Sequence, residues 1–336
     1  MVIKQNVSLK AFNTFGIEAK ASSYCDISTI DQLIRVLNGN KMPLFILGGG
    51  SNMLLTQNID ALVLHINLKG IEVIKETVDM VSVKVMAGEN WHEFVLWCIE
   101  HNYGGIENLS LIPGNVGTAP IQNIGAYGVE LKDAFISCEA VNTKNLIKKT
   151  FSKKDCKFGY RESVFKQELK GQYIITSVNF EFTKHNHKLN VDYGAIKEQL
   201  KISKVLKPTI KSISNAVIAI RKSKLPDPAD IGNSGSFFKN PVISSNQFEE
   251  LLTNFPNIPS YKISDKKIKI PAGWLIEKAG FKGKRFDDYG VHNKQALVLV
   301  NYGNAKGSDI LNLAQLIQQT VLQIFDIKIE TEVNII

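Results

Sequence analysis

The chain has 336 residues, 44% of them hydrophobic and 21% charged, which is globular composition and excludes wholesale disorder. That length exceeds one ordinary core and predicts two or three domains. Forty Lys and Arg against 32 Asp and Glu give a net charge of +8. No apolar run approaches the ~20 residues of a membrane span, and Met1 to Phe12 carries Lys4, Gln5, Asn6 and Lys10 where a signal peptide needs an apolar core.

The expectation is therefore a cytoplasmic protein with no membrane partner. Cys25, Cys98, Cys138 and Cys156 are widely spaced with no CxxC pair, which argues against a disulfide framework or a zinc site. The Lys-rich stretches Lys148 to Lys157 and Lys262 to Lys269 lack interleaved aromatics, so they read as solvated faces and no nucleic-acid partner is expected. A positive field does suit polyanionic small molecules.

In chain order, Ser28 to Asn38 predicts a helix with Leu33, Ile34 and Leu37 on one face and Gly39 as its stop. Pro43 to Leu47 reads as a buried strand ending in Gly48-Gly49-Gly50-Ser51-Asn52. Strands are expected at Leu62 to Ile66 and Val81 to Met86. Asn90 is placed to cap a helix carrying Trp91, Phe94, Val95 and Cys98, stopped by Gly104-Gly105. Pro113 to Gly128 holds too many glycines and prolines for a helix or regular strand. Strands follow at Phe135 to Val141 and Tyr173 to Phe182, then a helix after Pro208 with Ile210, Ile213, Val217 and Ile220 on one face. Leu225-Pro226-Asp227-Pro228 reads as a rigid turn and domain boundary, Ala296 to Val300 as a strand, and Ser308 to Phe325 as the longest amphipathic helix. Lys328 to Ile336 alternates like a strand.

Familiar signatures are missing. Met53 stands where a GxGxxG motif needs its last glycine, and Leu96 where a metalloprotease helix needs its second histidine. His185 and His187 have no further ligands nearby in sequence, so no metal is expected. The two glycine-rich segments remain. Bare backbone N–H groups in such loops form anion nests, and small residues let a ring system or pyrophosphate approach. Two loops alone leave a nucleotide site and a structural turn equally open.

Those segments, about sixty residues apart, resemble the flavin-binding fold of vanillyl-alcohol oxidase and its relatives. Further blocks resemble the UDP-N-acetylenolpyruvoylglucosamine reductase family: Asn13 to Gly16, Ile112 to Gly128, Gly159 to Ser163, Lys224 to Pro228, Gly232 to Pro241, Ala272 to Ile276 and His292 to Leu297. They run in order through nearly the whole chain, and Asp192-Tyr193-Gly194 marks the type I subgroup, with a tyrosine-bearing loop over the substrate. The resemblance implies an α+β protein, with a two-part PCMH/vanillyl-alcohol-oxidase-type FAD-binding region at residues 1–70 and 71–220. A UDP-sugar-binding α+β domain at 221–325 follows, and the strand 326–336 returns to the first part.

The implied reaction is NADPH-dependent, FAD-mediated reduction of UDP-N-acetylglucosamine enolpyruvate to UDP-N-acetylmuramate, a peptidoglycan precursor, by a monomer. By the same matching, Arg161 stabilises the developing enolate, Ser236 donates the proton and Glu332 helps orient or polarise the substrate. FAD falls to Gly48, Gly49, Gly50, Ser51, Asn52, Pro113, Gly114, Gly117, Thr118, Gln122, Asn123, Gly125 and Ala126. Neither loop contains the His or Cys that tethers flavin in the oxidases, so FAD is expected to be non-covalent. The substrate falls to Tyr160, Tyr193, Lys224, Asn240 and Gln295. Alternatives are a flavin oxidase of the same fold and an inactive UDP-sugar-binding protein.

Overall fold

A computed structural model describes residues 2–336. The described residues divide into two compact units: residues 2–7, 21–49 and 59–223, and residues 8–20, 50–58 and 224–336.

In the first unit, a four-stranded sheet has the order Lys4–Ser8, Lys20–Ile27, Ile59–Ile66, Leu44–Leu47, and the last three are parallel. Helix α1 (Ile30–Gly39) buries Leu33, Val36 and Leu37 against it, with Cys25, Ile27, Leu62 and Leu64 opposite. The Thr29 hydroxyl accepts from the Gln32 N–H at 3.1 Å and so starts that helix. Gly39 is its last residue and Asn40 ends it.

A five-stranded antiparallel sheet follows, in the order Lys148–Ser152, Phe135–Asn142, Tyr173–Thr183, Met80–Met86, Ile71–Glu76. On it packs α2 (Trp91–Glu100), capped by the Asn90 side chain, which accepts from the Glu93 N–H. Trp91, Phe94, Phe180 and Phe182 interlock here, with Phe94 and Phe180 ring centroids 5.2 Å apart. Each such ring buries on the order of 150–250 Å², worth about 25 cal/mol per Å². The stop after α2 is Asn102 at φ +57°, ahead of the expected Gly104-Gly105. Asparagine tolerates the left-handed region because its short polar side chain bonds locally. Helices α3 (Gly194–Ile202) and α4 (Ile210–Lys224) pair through Ile196, Leu200, Ile213, Val217 and Ile220.

Pro113 to Gly128 is largely irregular, but a short 3₁₀ turn spans Val116–Ile121 with Pro120 inside it. Such a turn needs only i→i+3 bonds in short runs, which small residues and a proline allow.

The second unit contains α5 (Ser245–Asn254), α6 (Ala272–Lys278) and α7 (Gly307–Phe325). Ile310, Leu313, Ile317, Val321 and Phe325 form the buried stripe of α7, and Phe255, Trp274 and Phe325 join the three helices through ring contacts of 4.9–6.0 Å. Two three-stranded antiparallel sheets accompany them, one of them Arg285–Phe286, Tyr289–Val291 and Leu299–Asn301. The strand expected at Ala296 begins only at Leu299, because the Val298 N–H turns back to the Gln295 carbonyl.

The terminal segment corrects the expectation of one continuous strand over Lys328 to Ile336. Thr331 bridges Phe238 antiparallel, while Asn334–Ile335 pairs parallel with Met53–Leu54. The alternation survives in the buried Ile327, Ile329 and Val333, but the segment changes partner midway, so no ladder extends along it.

Candidate functional site

In the first unit, the two glycine-rich segments meet. A Cβ on Gly49 would lie 2.9 Å from Gly114 Cα and 2.8 Å from Asn115 Oδ1, and one on Gly48 would collide with the Thr118 methyl. Gly117 likewise has the Ala87 side chain where its own Cβ would be. These glycines are therefore required by close approach, of the Gly114 backbone at Gly49, of the Thr118 side chain at Gly48 and of Ala87 at Gly117. The same approach leaves a surface nearly bare of side chains. Among the described residues, the N–H groups of Gly49 and Gly114 donate to no protein acceptor, as an anion-binding nest requires. That donor set fits the pyrophosphate of a dinucleotide cofactor.

The start of α2 anchors the second segment. Val116 N donates to Glu89 O, Gly117 N to Ala87 O and Trp91 N to Gly114 O, each at 2.9 Å. Pro113 is exposed, and Gln122 and Ala126 are half-buried along the same segment. Asn123 is fully buried, at φ +44°, with both ends of its amide engaged: Nδ2 donates to the Gly159 carbonyl and Oδ1 accepts from the Lys132 N–H. Only its backbone is left to face a ligand.

Arg161, at φ +55°, reaches this segment directly, with Nη2 donating to the Gly125 carbonyl at 2.7 Å. The guanidinium lies 5.5 Å from the centroid of the exposed Tyr160 ring. Tyr193, also exposed, precedes α3 and packs edge-on against Tyr127 at 5.3 Å. The Tyr127 hydroxyl bonds to Arg221. Burial pushes the Arg221 guanidinium below its ordinary range, Tyr127 opposes that shift, and the positive charge of Arg161 adds to it. Arg161 and Arg221 thus form a cationic pair beside the glycine-rich segment. Reading the sequence missed Arg221 because it is one of four polar residues ending an amphipathic helix; only its place on the α4 face that carries Ser214 distinguishes it.

In the second unit, Gly50 stands at φ +59°, where a Cβ would strike the Phe12 carbonyl. Its own carbonyl accepts from the Thr14 N–H at 3.1 Å. Thr14 in turn holds the Gly232 to Ser236 loop: its carbonyl accepts from Asn233 N at 2.9 Å, and its hydroxyl is 3.3 Å from that of Ser234. Gly235, at φ +68°, donates its N–H to Asn233 Oδ1. This explains the Asn13 to Gly16 block, which carried no residue role in the sequence.

Ser236 follows that turn, exposed, with a hydroxyl that bonds to no described group. Beyond it, Phe237 N donates to Leu297 O and Glu332 N donates to Phe237 O, both at 2.8 Å. Glu332 is thereby joined through a backbone bridge to the residue that follows Ser236. The Glu332 carbonyl accepts from Asn52 Nδ2 at 3.4 Å, which brings the end of the first glycine-rich segment, Ser51 and Asn52, to the same place.

Asn240 and Gln295 meet around the start of α6. Asn240 Oδ1 accepts from Ala272 N at 2.9 Å, and Gln295 Oε1 accepts from Leu297 N at 3.3 Å and lies 3.1 Å from where a Gly273 Cβ would be. Each amide oxygen is taken by a backbone donor, so each side chain has its NH₂ left to offer, and both suit an anionic ligand. Lys224, exposed, is the last residue of α4. Among the described residues, no group of three or more His, Cys, Asp or Glu side chains could hold a metal ion, and no helix is long and apolar enough to cross a membrane.

Known proteins resemble this chain along its whole length. A family model for the C-terminal domain of UDP-N-acetylenolpyruvoylglucosamine reductase matches residues 227–336, and a FAD binding domain model matches residues 25–150. A protein of that reductase name from Flavobacterium johnsoniae is 59% identical over 337 residues, covering 100% of both chains. Another from Amoebophilus asiaticus is 48% identical over 339 residues, again covering 100% of both. The crystal structure of the reductase from Thermus caldophilus covers 100% of this chain and 99% of its own, with a TM-score of 0.69 at 23% identity, which shows a common fold.

Proposed function

The chain belongs to the UDP-N-acetylenolpyruvoylglucosamine reductase family, an oxidoreductase family with a FAD-binding domain, and from that premise we propose the reaction and the residues that run it. The substrate is UDP-N-acetylglucosamine enolpyruvate, the product is UDP-N-acetylmuramate and the reductant is NADPH. FAD is held without a covalent bond by Gly48, Gly49, Gly50, Ser51 and Asn52 together with the segment from Pro113 to Ala126. When bound, it supplies hydride transfer from NADPH to the methylene carbon of the enolpyruvyl group.

The remaining work falls to side chains. Hydride addition leaves negative charge on the α-carbon and its carboxylate. The planar guanidinium of Arg161, fixed on the Gly125 carbonyl, is suited to hold that charge. The Ser236 hydroxyl then gives its proton to the α-carbon, which completes addition across the double bond. Glu332 orients the reacting group. Tyr160 and Tyr193 line the substrate, while Lys224 and the amide NH₂ groups of Asn240 and Gln295 neutralise and bond the diphosphate. Residues 1–70 and 71–220 act as the two parts of the FAD-binding region, residues 221–325 bind the UDP-sugar, and the enzyme works as a cytoplasmic monomer.

The observation that supports this reading is the bond from Glu332 N to Phe237 O, which ties the terminal segment carrying Glu332 to the residue that follows Ser236. The test is a two-step titration. The purified protein should be yellow, NADPH should bleach it without air, and the reduced form should reoxidise on adding UDP-N-acetylglucosamine enolpyruvate. Rapid reoxidation by oxygen alone would indicate an oxidase, and a colourless protein that cannot be reconstituted with FAD would end the proposal.

A further inference from the structure

Residues 109–111 lead into the second glycine-rich segment, and side chains from two helices of the first unit grip all three. Trp91 Nε1 donates to the Leu109 carbonyl at 2.9 Å. The Ser110 and Ser214 hydroxyls, both buried, share a hydrogen bond of 2.8 Å. The Leu111 N–H donates to His92 Nδ1 at 3.0 Å, and Arg221 Nε donates to the Leu111 carbonyl at 3.1 Å. Trp91 and His92 open α2, whereas Ser214 and Arg221 lie seven residues apart on one face of α4.

Leu111 itself stands at φ +59°, in the left-handed region that a leucine avoids. Such a backbone persists only where its surroundings over-determine it. Here both polar groups of one strained residue are taken by side chains, and neither bond belongs to a regular element. Three residues on, the Gly114 carbonyl is already tied to Trp91 N, and the bare-backbone surface begins.

We infer that His92 and Arg221 are positioning residues that clamp the two polar groups of Leu111 and so set the path of the segment Pro113 to Ala126 that cradles the flavin. The inference rests on the cofactor reading above. It has a chemical consequence. His92 Nδ1 can accept from an amide only as a neutral imidazole with its proton on Nε2. Burial is the main influence holding His92 neutral; Arg221 and Lys222 on α4 add to it, and Glu93 on its own helix opposes it. Protonation converts the acceptor into a donor facing a donor, and the clamp opens.

The test pairs two variants and two readouts. Asparagine in His92→Asn offers an oxygen near the Nδ1 position and cannot titrate; His92→Ala offers nothing. FAD affinity is measured by fluorescence titration of the apoprotein from about pH 8 to about pH 5.5, across the histidine range. Amide exchange of the peptide spanning residues 109–118 is measured on the same apoprotein. The wild type should lose affinity and protection together on acidification. His92→Ala should be weaker than the wild type by about tenfold at high pH, the equivalent of one hydrogen bond, and should lose nothing further on acidification. His92→Asn should match the wild type at high pH and stay flat on acidification. The clamp is refuted if His92→Ala changes neither readout, or if His92→Asn keeps the wild-type pH dependence. If the wild type binds no FAD, the cofactor reading fails, and the exchange measurement alone still decides whether the clamp exists.

Discussion

Arg161 and Gly125 are matched in shape as well as bonded: Arg161 Nη2 donates to the Gly125 carbonyl, and a Cβ at position 125 would lie 3.1 Å from Arg161 Nη1 and 3.1 Å from the Val129 carbonyl. A methyl there would press on the guanidinium and, at 3.0 Å, on Glu130 Cγ, so a neighbour must shift. Gly125→Ala should displace it without removing it. Because a misplaced charge-stabilising donor is costly, kcat should fall by roughly 10²-fold. Rapid-mixing measurements should find flavin reduction by NADPH nearly unchanged and reoxidation by the enolpyruvyl substrate slowed. Equal slowing of both halves would mean that Gly125 serves the cofactor rather than Arg161.

Ser236→Ala removes a hydroxyl that no described protein group uses, so the fold should not register the change. Turnover should fall by about 10²–10⁴-fold, as for a lost general acid, with bleaching by NADPH preserved. An unchanged Tm with lost turnover is the expected pair of results. Unimpaired product formation would remove Ser236 from the proton transfer.

Gly50 and Gly194 make a stability contrast. At Gly50 a methyl would meet the Phe12 carbonyl, and the residue is at φ +59°. Gly50→Ala should cost at least about 2 kcal/mol, because strain and collision add. Nothing lies within 4 Å of where a Cβ on Gly194 would be, and this residue opens α3. Gly194→Ala should be neutral or stabilising by up to about 1 kcal/mol. Urea unfolding midpoints of the two variants, measured side by side, check both signs.

The helices with apolar stripes were legible in the sequence: Asn90 starts α2 as a capping residue should, α1 ends at Gly39, and α7 follows its stripe to Phe325. What was not legible depends on partners distant in sequence. The alternation of Lys328 to Ile336 gave no sign that its partner changes from Phe238 to Met53. Gly48 and Gly49 looked like room for a ligand, and the structure shows that they first make room for Gly114 and Thr118. α3, α5 and α6 escaped notice because α3 and α6 lack a side-chain cap and α5 buries only Leu251, so a start signal or an apolar stripe is missing from each. For the candidate site, glycine spacing located the loops, but the bonds that fix Ser236 and Arg161 run through backbone carbonyls, which carry no sequence signature.

Three histidines give the folded protein a direction of pH dependence. His92, His187 and His292 all have pKa values below the ordinary 6.5, in each case chiefly through burial. His292 Nδ1 is buried with no hydrogen-bond partner, so it has nothing to stabilise a charge. A depressed folded pKa means that, just below pH 6.5, the unfolded chain binds protons that the folded chain does not. Stability then rises with pH through that window, is complete above about pH 6.5 and declines as pH falls toward the folded values. The urea midpoint at about pH 5.5 should be lower than at about pH 7.5, with the slope m unchanged. Most carboxylates stay ionised over this range, so the histidines dominate the difference. Replacing His292 with glutamine should reduce the difference without abolishing it, since His92 and His187 remain. Equal midpoints at the two pH values would show that burial does not hold these imidazoles neutral.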